Sequence, residues 1–141
     1  MATINASINI TSDIPSSGFS LSKTMTMTKA GTVTGIENSN GLGVKKLAAT
    51  TAVVLELAVD ATASGANKLY IRNTGSNKAE HVKISFNASA SADTTEENIG
   101  RLYGGDWMLI PWEANGTTHN VVAAPSTADE VTTIEYMTFH E

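Results

Sequence analysis

The chain has 141 residues, a formal net charge of −5 and no cysteine. This length suits a single domain with a core of its own, and the lack of cysteine excludes both a disulfide scaffold and a zinc finger. The nine basic residues are scattered rather than gathered into a patch that would follow a phosphate backbone, so nucleic acid is not an expected partner. The N-terminus lacks a signal-peptide pattern and no apolar run is long enough to span a bilayer, so we expect no membrane association.

Charged residues make up only 16% of the chain, well below the usual quarter. Small polar residues take their place, and they lose little side-chain entropy when another protein covers them. This composition is typical of a subunit that works in contact with other subunits.

Apolar and polar residues alternate with a period of two through much of the chain, which predicts strands with one buried face. The first two predicted strands are Thr3–Ile10 and Phe19–Thr28, joined by a segment rich in turn-forming residues. Residues 1–30 are therefore interpreted as a hairpin. It either forms an arm that contacts a neighbouring subunit or supplies two ordinary strands of the main fold.

The middle of the chain begins with a turn signal at Asn40-Gly41. A strand is predicted at Ala52–Val59, where the β-branched pair Val53-Val54 favours a strand over a helix from Leu47 to Leu57. A second hairpin is predicted from Lys68–Arg72 and Glu80–Phe86. Asp93 and Glu96 have the spacing that caps one short helical turn.

The remaining predicted strands are Trp107–Trp112, His119–Ala123 and Val131–Phe139, with turns at Asn115-Gly116 and Pro125-Ser126. About eight short strands predict an all-β fold: a single-domain antiparallel β-sandwich over residues 1–141, jelly-roll-like. An immunoglobulin-like sandwich is the alternative topology.

The strand at Trp107–Trp112 has two apolar faces, so both should be shielded from water. Pro111 cannot donate a ladder hydrogen bond and belongs at a strand end or edge. One face should meet the core, and the other should meet either a loop of the same chain or another subunit. The candidate interface residues are Tyr103, Trp107, Met108, Ile110 and Trp112.

No catalytic constellation accompanies these strands. None of the histidines, His81, His119 and His140, lies in a metal-ligand or catalytic motif. Asp106 and Glu113 flank the tryptophan strand, but seven positions along a strand separate two residues by about 23 Å, too far for two carboxylates to share one glycosidic bond. We therefore expect no enzyme activity, no catalytic or metal-binding residues and no cofactor.

Aromatic residues permit one further interpretation. Tyr103, Trp107 and Trp112 could form a platform for stacking a sugar, which would make the chain a carbohydrate-binding β-sandwich module. Tryptophans in small sandwiches more often anchor cores or interfaces, and those are the preferred roles here.

Three stretches between residues 68 and 139 carry a resemblance to known proteins. They are KLYIRNTG at 68–75, IGRLYGGDWMLIPW at 99–112 and TIEYMTF at 133–139. In this order they resemble small virion structural proteins of tailed bacteriophages, marine phages in particular. The resemblance implies a β-sandwich subunit that decorates or cements a capsid, or that belongs to a tail, and it implies no catalytic residues.

The expected function is accordingly that of a capsid decoration or cement protein. Such a protein would be made in the host cytoplasm and would lie on the outer surface of the virion. It would form a homo-oligomer and bind the major capsid protein or other virion proteins. A tail, baseplate or fibre component is the alternative within the same class.

Overall fold

The structure is a computed structural model that describes residues 3–14, 18–48, 52–56, 65–87, 98–114, 119–126 and 131–141. These ranges are all-β and contain no helix, and hence none that could cross a bilayer. Their strands are β1 (Ile4–Ser12), β2 (Phe19–Met27), β3 (Asn38–Ser39), β4 (Gly43–Leu47), β5 (Val53–Glu56), β6 (Lys68–Asn73), β7 (His81–Asn87), β8 (Asn98–Tyr103), β9 (Trp107–Pro111), β10 (Asn120–Pro125) and β11 (Thr132–His140).

Eight of these strands form a sandwich of two antiparallel sheets. One sheet has the order β5-β10-β7-β8 and the other has the order β4-β11-β6-β9. Consecutive strands from β4 to β11 alternate between the sheets except at the β7–β8 hairpin, which is the arrangement of a jelly roll. The β-sandwich prediction is confirmed. The strand number exceeds eight because β1 and β2 form a sheet of their own and the two-residue β3, which pairs with β11, is a fifth strand of the second sheet.

The core lies between the sheets and is made by the alternate residues that point inward. Leu69 and Ile71 of β6 meet Val82 and Ile84 of β7, and all four are fully buried. The remaining buried members of this cluster are Leu47, Leu55, Leu102, Trp112, Ala114, Val121, Ala123 and Ile134. The alternation that predicted strands thus also identifies most of the core.

The second predicted hairpin is wrong. Lys68–Asn73 and His81–Asn87 are both strands, but β6 and β7 belong to opposite sheets and do not pair. Asn73 makes this change of sheet possible, because its buried side chain donates to the Leu102 carbonyl and accepts from the Gly75 amide. The Asn- and Gly-rich segment that resembles a hairpin turn is therefore a crossover.

The first predicted hairpin is confirmed. β1 and β2 pair in continuous register from Ile4–Met27 to Ser12–Phe19, and they form a two-stranded sheet of their own, separate from the sandwich. Several other predictions fall outside the described residues: the end of the strand at Ala52–Val59, the short turn at Asp93 and Glu96, and the turn at Asn115-Gly116.

Candidate contact surface

The β1–β2 hairpin, called the arm below, has one entirely polar face. Directly opposed residues of an antiparallel pair share a face, and on this one every member is Asn, Ser or Thr. The hydroxyls of Ser7 and Thr24 are 2.9 Å apart, and Thr26 Oγ1 donates to Asn5 Oδ1 over 2.8 Å. These contacts hold the two strands in register without any charged side chain.

The opposite face of the arm is apolar apart from Lys23 and Ser12. Its other members are Ile4, Ala6, Ile8, Ile10, Phe19, Leu21, Met25 and Met27. Met27 at the base of this face is 2% exposed, whereas Met25, Ile10 and Phe19 are 43%, 42% and 49% exposed. The arm therefore presents an apolar surface that the described part of the chain leaves open to solvent.

The base of the arm is fixed to the body of the protein. Ile36, which is fully buried, donates its backbone amide to the Met27 carbonyl over 3.0 Å. Beyond the arm, the carboxylate of Glu141 accepts from the backbone amides of Ala66 and Ala30. The hydrogen bond from the Ala66 amide, followed in size of effect by that from the Ala30 amide, lowers the pKa of Glu141. The carboxylate therefore stays charged in this contact.

A groove runs between the arm and β9. Its volume is ≈ 480 Å³, and its lining comes from both elements: Ala6, Ser7, Ile8, Lys23, Thr24 and Met25 from the arm, and Trp107, Met108 and Leu109 from β9. β9 is an edge strand that ends at Pro111, as predicted for that proline. The outer face of β9 is thus partly covered by the same chain.

The predicted interface residues divide into three groups. Trp107 is 50% exposed and Tyr103 is also exposed, so both lie on the surface. Met108 and Ile110 are half-buried and pack against the core. Because the described chain covers only half of Trp107, a dry outer face at this position would require another molecule.

Trp112 is a correction to the predicted interface. Its side chain is buried in the sandwich core, and its Nε1 donates to the His119 carbonyl over 2.8 Å. It follows β9 by one residue, and its amide donates to the Asn67 carbonyl. Trp112 therefore cannot line a surface of this subunit, and the platform of three aromatic residues is not formed.

Within the described ranges, the acidic and histidine side chains lie apart from one another in ordinary structural contacts. Asp106 Oδ2 accepts the Tyr103 amide at the β8–β9 turn, and Glu113 is exposed. Among the described residues no three His, Cys, Asp or Glu side chains lie close enough together to hold a metal ion. His119 contacts Phe86 edge-on, with ring centroids 6.5 Å apart.

One ring nitrogen of His81 is buried, and its burial makes the stability of the folded state depend on pH. Its ring lies 5.2 Å from that of Tyr103, and its Nε2 is buried without a hydrogen-bond partner in the described structure. Burial, with smaller contributions from Arg101 and Lys83, lowers the pKa of His81 below its ordinary value of 6.5. The folded state therefore disfavours the charged ring.

This gives a prediction for acid stability. Below pH 6.5 the unfolded chain binds a proton at His81 more readily than the folded chain, so the free energy of unfolding should fall as the pH decreases from 7.5 to 5.5. Urea unfolding at several pH values measures this fall, and the variant H81Q should make the dependence in that window shallower. An unchanged dependence in H81Q would contradict the assignment. The contribution of Glu141 is separable, because its lowered pKa affects stability only below about its ordinary value of 4.5.

No family model, no curated protein and no solved structure matches this chain. Any argument about function therefore rests on the structure itself: on the arm, on the groove and on the outer face of the β4-β11-β6-β9 sheet.

Proposed function

We propose that this protein is a non-enzymatic structural protein of a phage virion, a decoration or cement protein that binds the assembled capsid shell and stabilises it. The observation that carries the proposal is the open apolar face of the arm, where Ile10 and Phe19 are each more than 40% exposed. An isolated two-stranded hairpin is marginal in water, and an exposed apolar surface of this kind is typical of a protein–protein contact. A structural subunit accounts for both features.

The occupant proposed for the apolar face is a neighbouring copy of this chain. Lys23 is the one charged residue in β1 and β2, so two such surfaces can approach without strong repulsion. Both strands of the arm also have an unpaired edge in the described structure, and open edges readily accept another strand. In a shell with many copies, contacts that are weak individually add up through multivalency.

The body of the subunit is proposed to bind the major capsid protein. A ligand that binds the assembled shell better than its free subunits stabilises the shell by mass action. The net charge of −5 favours the outer surface over contact with packaged DNA. The three stretches that resemble phage virion proteins supply β6, β9 and β11, which are adjacent strands of one sheet, and most of β8 in the other sheet.

The test compares matched double variants of the arm. I10D/F19D places two charges on the apolar face, whereas N9D/S20D places two charges on the polar face of the same strands. Light scattering measures the mass of each protein, and co-sedimentation with purified heads and tails of the parent phage measures binding. We expect the wild type and N9D/S20D to be oligomeric and to sediment with heads, and I10D/F19D to be monomeric with head binding reduced at least tenfold.

Three results would overturn the proposal or part of it. Wild-type protein that is monomeric at all concentrations and binds neither heads nor tails would exclude a virion role. Binding to tails alone would replace the decoration role with that of a tail component. Equal behaviour of the two double variants would remove the arm as the contact surface.

A further inference from the structure

We propose that the outer face of the β4-β11-β6-β9 sheet carries a binding subsite for a neutral pyranose sugar, centred on Trp107. This inference does not rest on the virion proposal, because it needs only one copy of the chain and none of the apolar residues at the tip of the arm; Trp107 itself lines both this subsite and the groove beside the arm. The subsite is a shallow open depression of ≈ 450 Å³ lined by Tyr70, Arg72, Gly105 and Trp107. It differs from the predicted aromatic platform, since Trp107 is the one member of that platform that lines it.

Strand register brings the aromatic and polar parts of the depression together. Trp107 of β9 lies directly opposite Arg72 of β6, and Arg72 lies directly opposite Glu135 of β11. Directly opposed side chains on one face have Cβ atoms about 5 Å apart. Indole, guanidinium and carboxylate therefore form a row across three adjacent strands, with the half-exposed indole at the open end.

The polar groups are held in place before any ligand arrives. Tyr70 donates its hydroxyl to Glu135 Oε1 over 2.7 Å, and Arg72 Nη1 lies 3.5 Å from the same oxygen. Burial, followed by the bond to Glu135, raises the pKa of Tyr70, so its hydroxyl remains a proton donor at neutral pH. Glu135 does not line the depression and acts as a positioning residue for the two side chains that do.

This chemistry fits a sugar ring. The face of an indole is electron-rich, and one face of a pyranose presents weakly positive C–H groups that stack on it. The planar guanidinium of Arg72 offers several N–H donors in a fixed fork, suited to adjacent hydroxyl groups. Glu135 compensates the charge of Arg72, and the ammonium of Lys78 beside Gly105 is already engaged by the Gly104 carbonyl. The site is therefore proposed to bind a neutral sugar in preference to an acidic one.

The backbone next to Trp107 forms a tight turn. Gly105 has φ +90°, a conformation that side chains rarely adopt, and a Cβ at this position would lie only 2.9 Å from Lys78 Nζ. The turn is fixed by hydrogen bonds from the Gly105 amide to the Asn73 carbonyl and from the Asp106 amide to the Tyr103 carbonyl. Trp107 therefore follows a rigid turn rather than a mobile loop.

The two tryptophans provide an internal control for the experiment. The indole N–H signals of Trp107 and Trp112 are followed by NMR during titration with glucose, galactose, mannose and N-acetylglucosamine, each to 100 mM, and with glucuronate as the acidic comparison. The variant W107F assigns the signals by removing one of them. We expect at least one neutral sugar to shift the Trp107 signal in a saturable manner, while the signal of the buried Trp112 stays in place.

Variants then test the polar part of the site. R72Q should weaken binding of that sugar at least fivefold. K46A, on an exposed position of β4, serves as the surface control and should bind like the wild type. The arm variant I10D/F19D should also retain sugar binding, which separates this result from the test of the virion role.

Three outcomes would overturn the proposal. One is the absence of a Trp107 shift with all four neutral sugars. Another is a shift with glucuronate alone, which would assign the site to acidic ligands. The third is a shift that depends on protein concentration and not on sugar, which would make this surface a contact between copies of the chain.

Discussion

Replacing Trp112 with alanine is expected to lower the free energy of unfolding of the isolated subunit by about 3–5 kcal/mol, the range found for large aromatic residues in cores. The side chain is 2% exposed and belongs to the cluster between the two sheets. Its removal leaves a cavity there. The substitution also removes the indole Nε1–H, which donates a hydrogen bond to the His119 carbonyl over 2.8 Å. Urea unfolding followed by circular dichroism measures the loss.

The matched control for this prediction is W107A, which removes the same side chain five positions earlier. Trp107 is half exposed, so its loss should cost about 1 kcal/mol or less. Comparable losses in the two variants would contradict the placement of one indole in the core and the other at the surface. Each variant keeps one tryptophan, so its emission should be blue-shifted in W107A and red-shifted in W112A before unfolding.

Replacing Asn73 with alanine is the second change expected to have a large effect. Its side chain is 2% exposed, with Nδ2 donating to the Leu102 carbonyl over 3.0 Å and Oδ1 accepting from the Gly75 amide over 2.9 Å. Alanine removes the partner of both backbone groups, and an unpaired buried polar group costs about 1–3 kcal/mol. We expect N73A to lose about 2–4 kcal/mol of unfolding free energy, allowing for partial access of water.

Asn73→Asp separates the two hydrogen bonds. Aspartate keeps an acceptor for the Gly75 amide but provides no donor for Leu102 when it is ionised. At pH 7 it should therefore be destabilising, and the loss should shrink as the pH falls and the carboxyl takes up a proton. A loss below about 1 kcal/mol in N73A would show that the crossover from β6 to β7 does not depend on this side chain.

The sequence patterns predict the existence of most strands because alternation is a local signal. Predicted and observed bounds agree within a few residues for β1, β2, β6, β7 and β9–β11. The strands β3, β4 and β8 are absent from the predicted set. Gly43-Val44-Lys45-Lys46-Leu47 places two lysines in a row at a sheet edge, and Asn98–Tyr103 contains a glycine and an arginine that interrupt the alternation. Pairing with neighbouring strands overrides the weak local preference in both segments.

These patterns do not predict which strands pair with each other in the sheets. The segment from Asn73 to Asn77 has the composition of a hairpin turn, yet it leads from one sheet to the other. Composition determines where the chain turns, whereas the direction depends on distant contacts such as that between Asn73 and Leu102. For the same reason the sequence predicts a jelly-roll-like fold without the order of its strands.

The candidate sites also combine features that local sequence patterns predict with features that only long-range strand pairing determines. The sequence singles out Trp107–Trp112 as a strand with two apolar faces, and the structure places Trp107 at the surface next to the arm. Period-two alternation places Trp107 and Trp112 on opposite faces of that strand, but it does not tell which face meets the core. Tyr70, Arg72 and Glu135 were not singled out, because only strand register brings these separated residues beside Trp107.

The position of β11 has a consequence for synthesis of the chain. This strand lies between β4 and β6, pairs with both, and also pairs with β3. While the ribosome is still translating residues before 132, that sheet lacks a central member, and β4 has no described partner strand. Completion of the sandwich must then wait until β11 has left the exit tunnel, and closure over so long a separation in sequence is slow. Nascent chains stalled before β11 should therefore be protease-sensitive throughout, and protection should appear in a single late step.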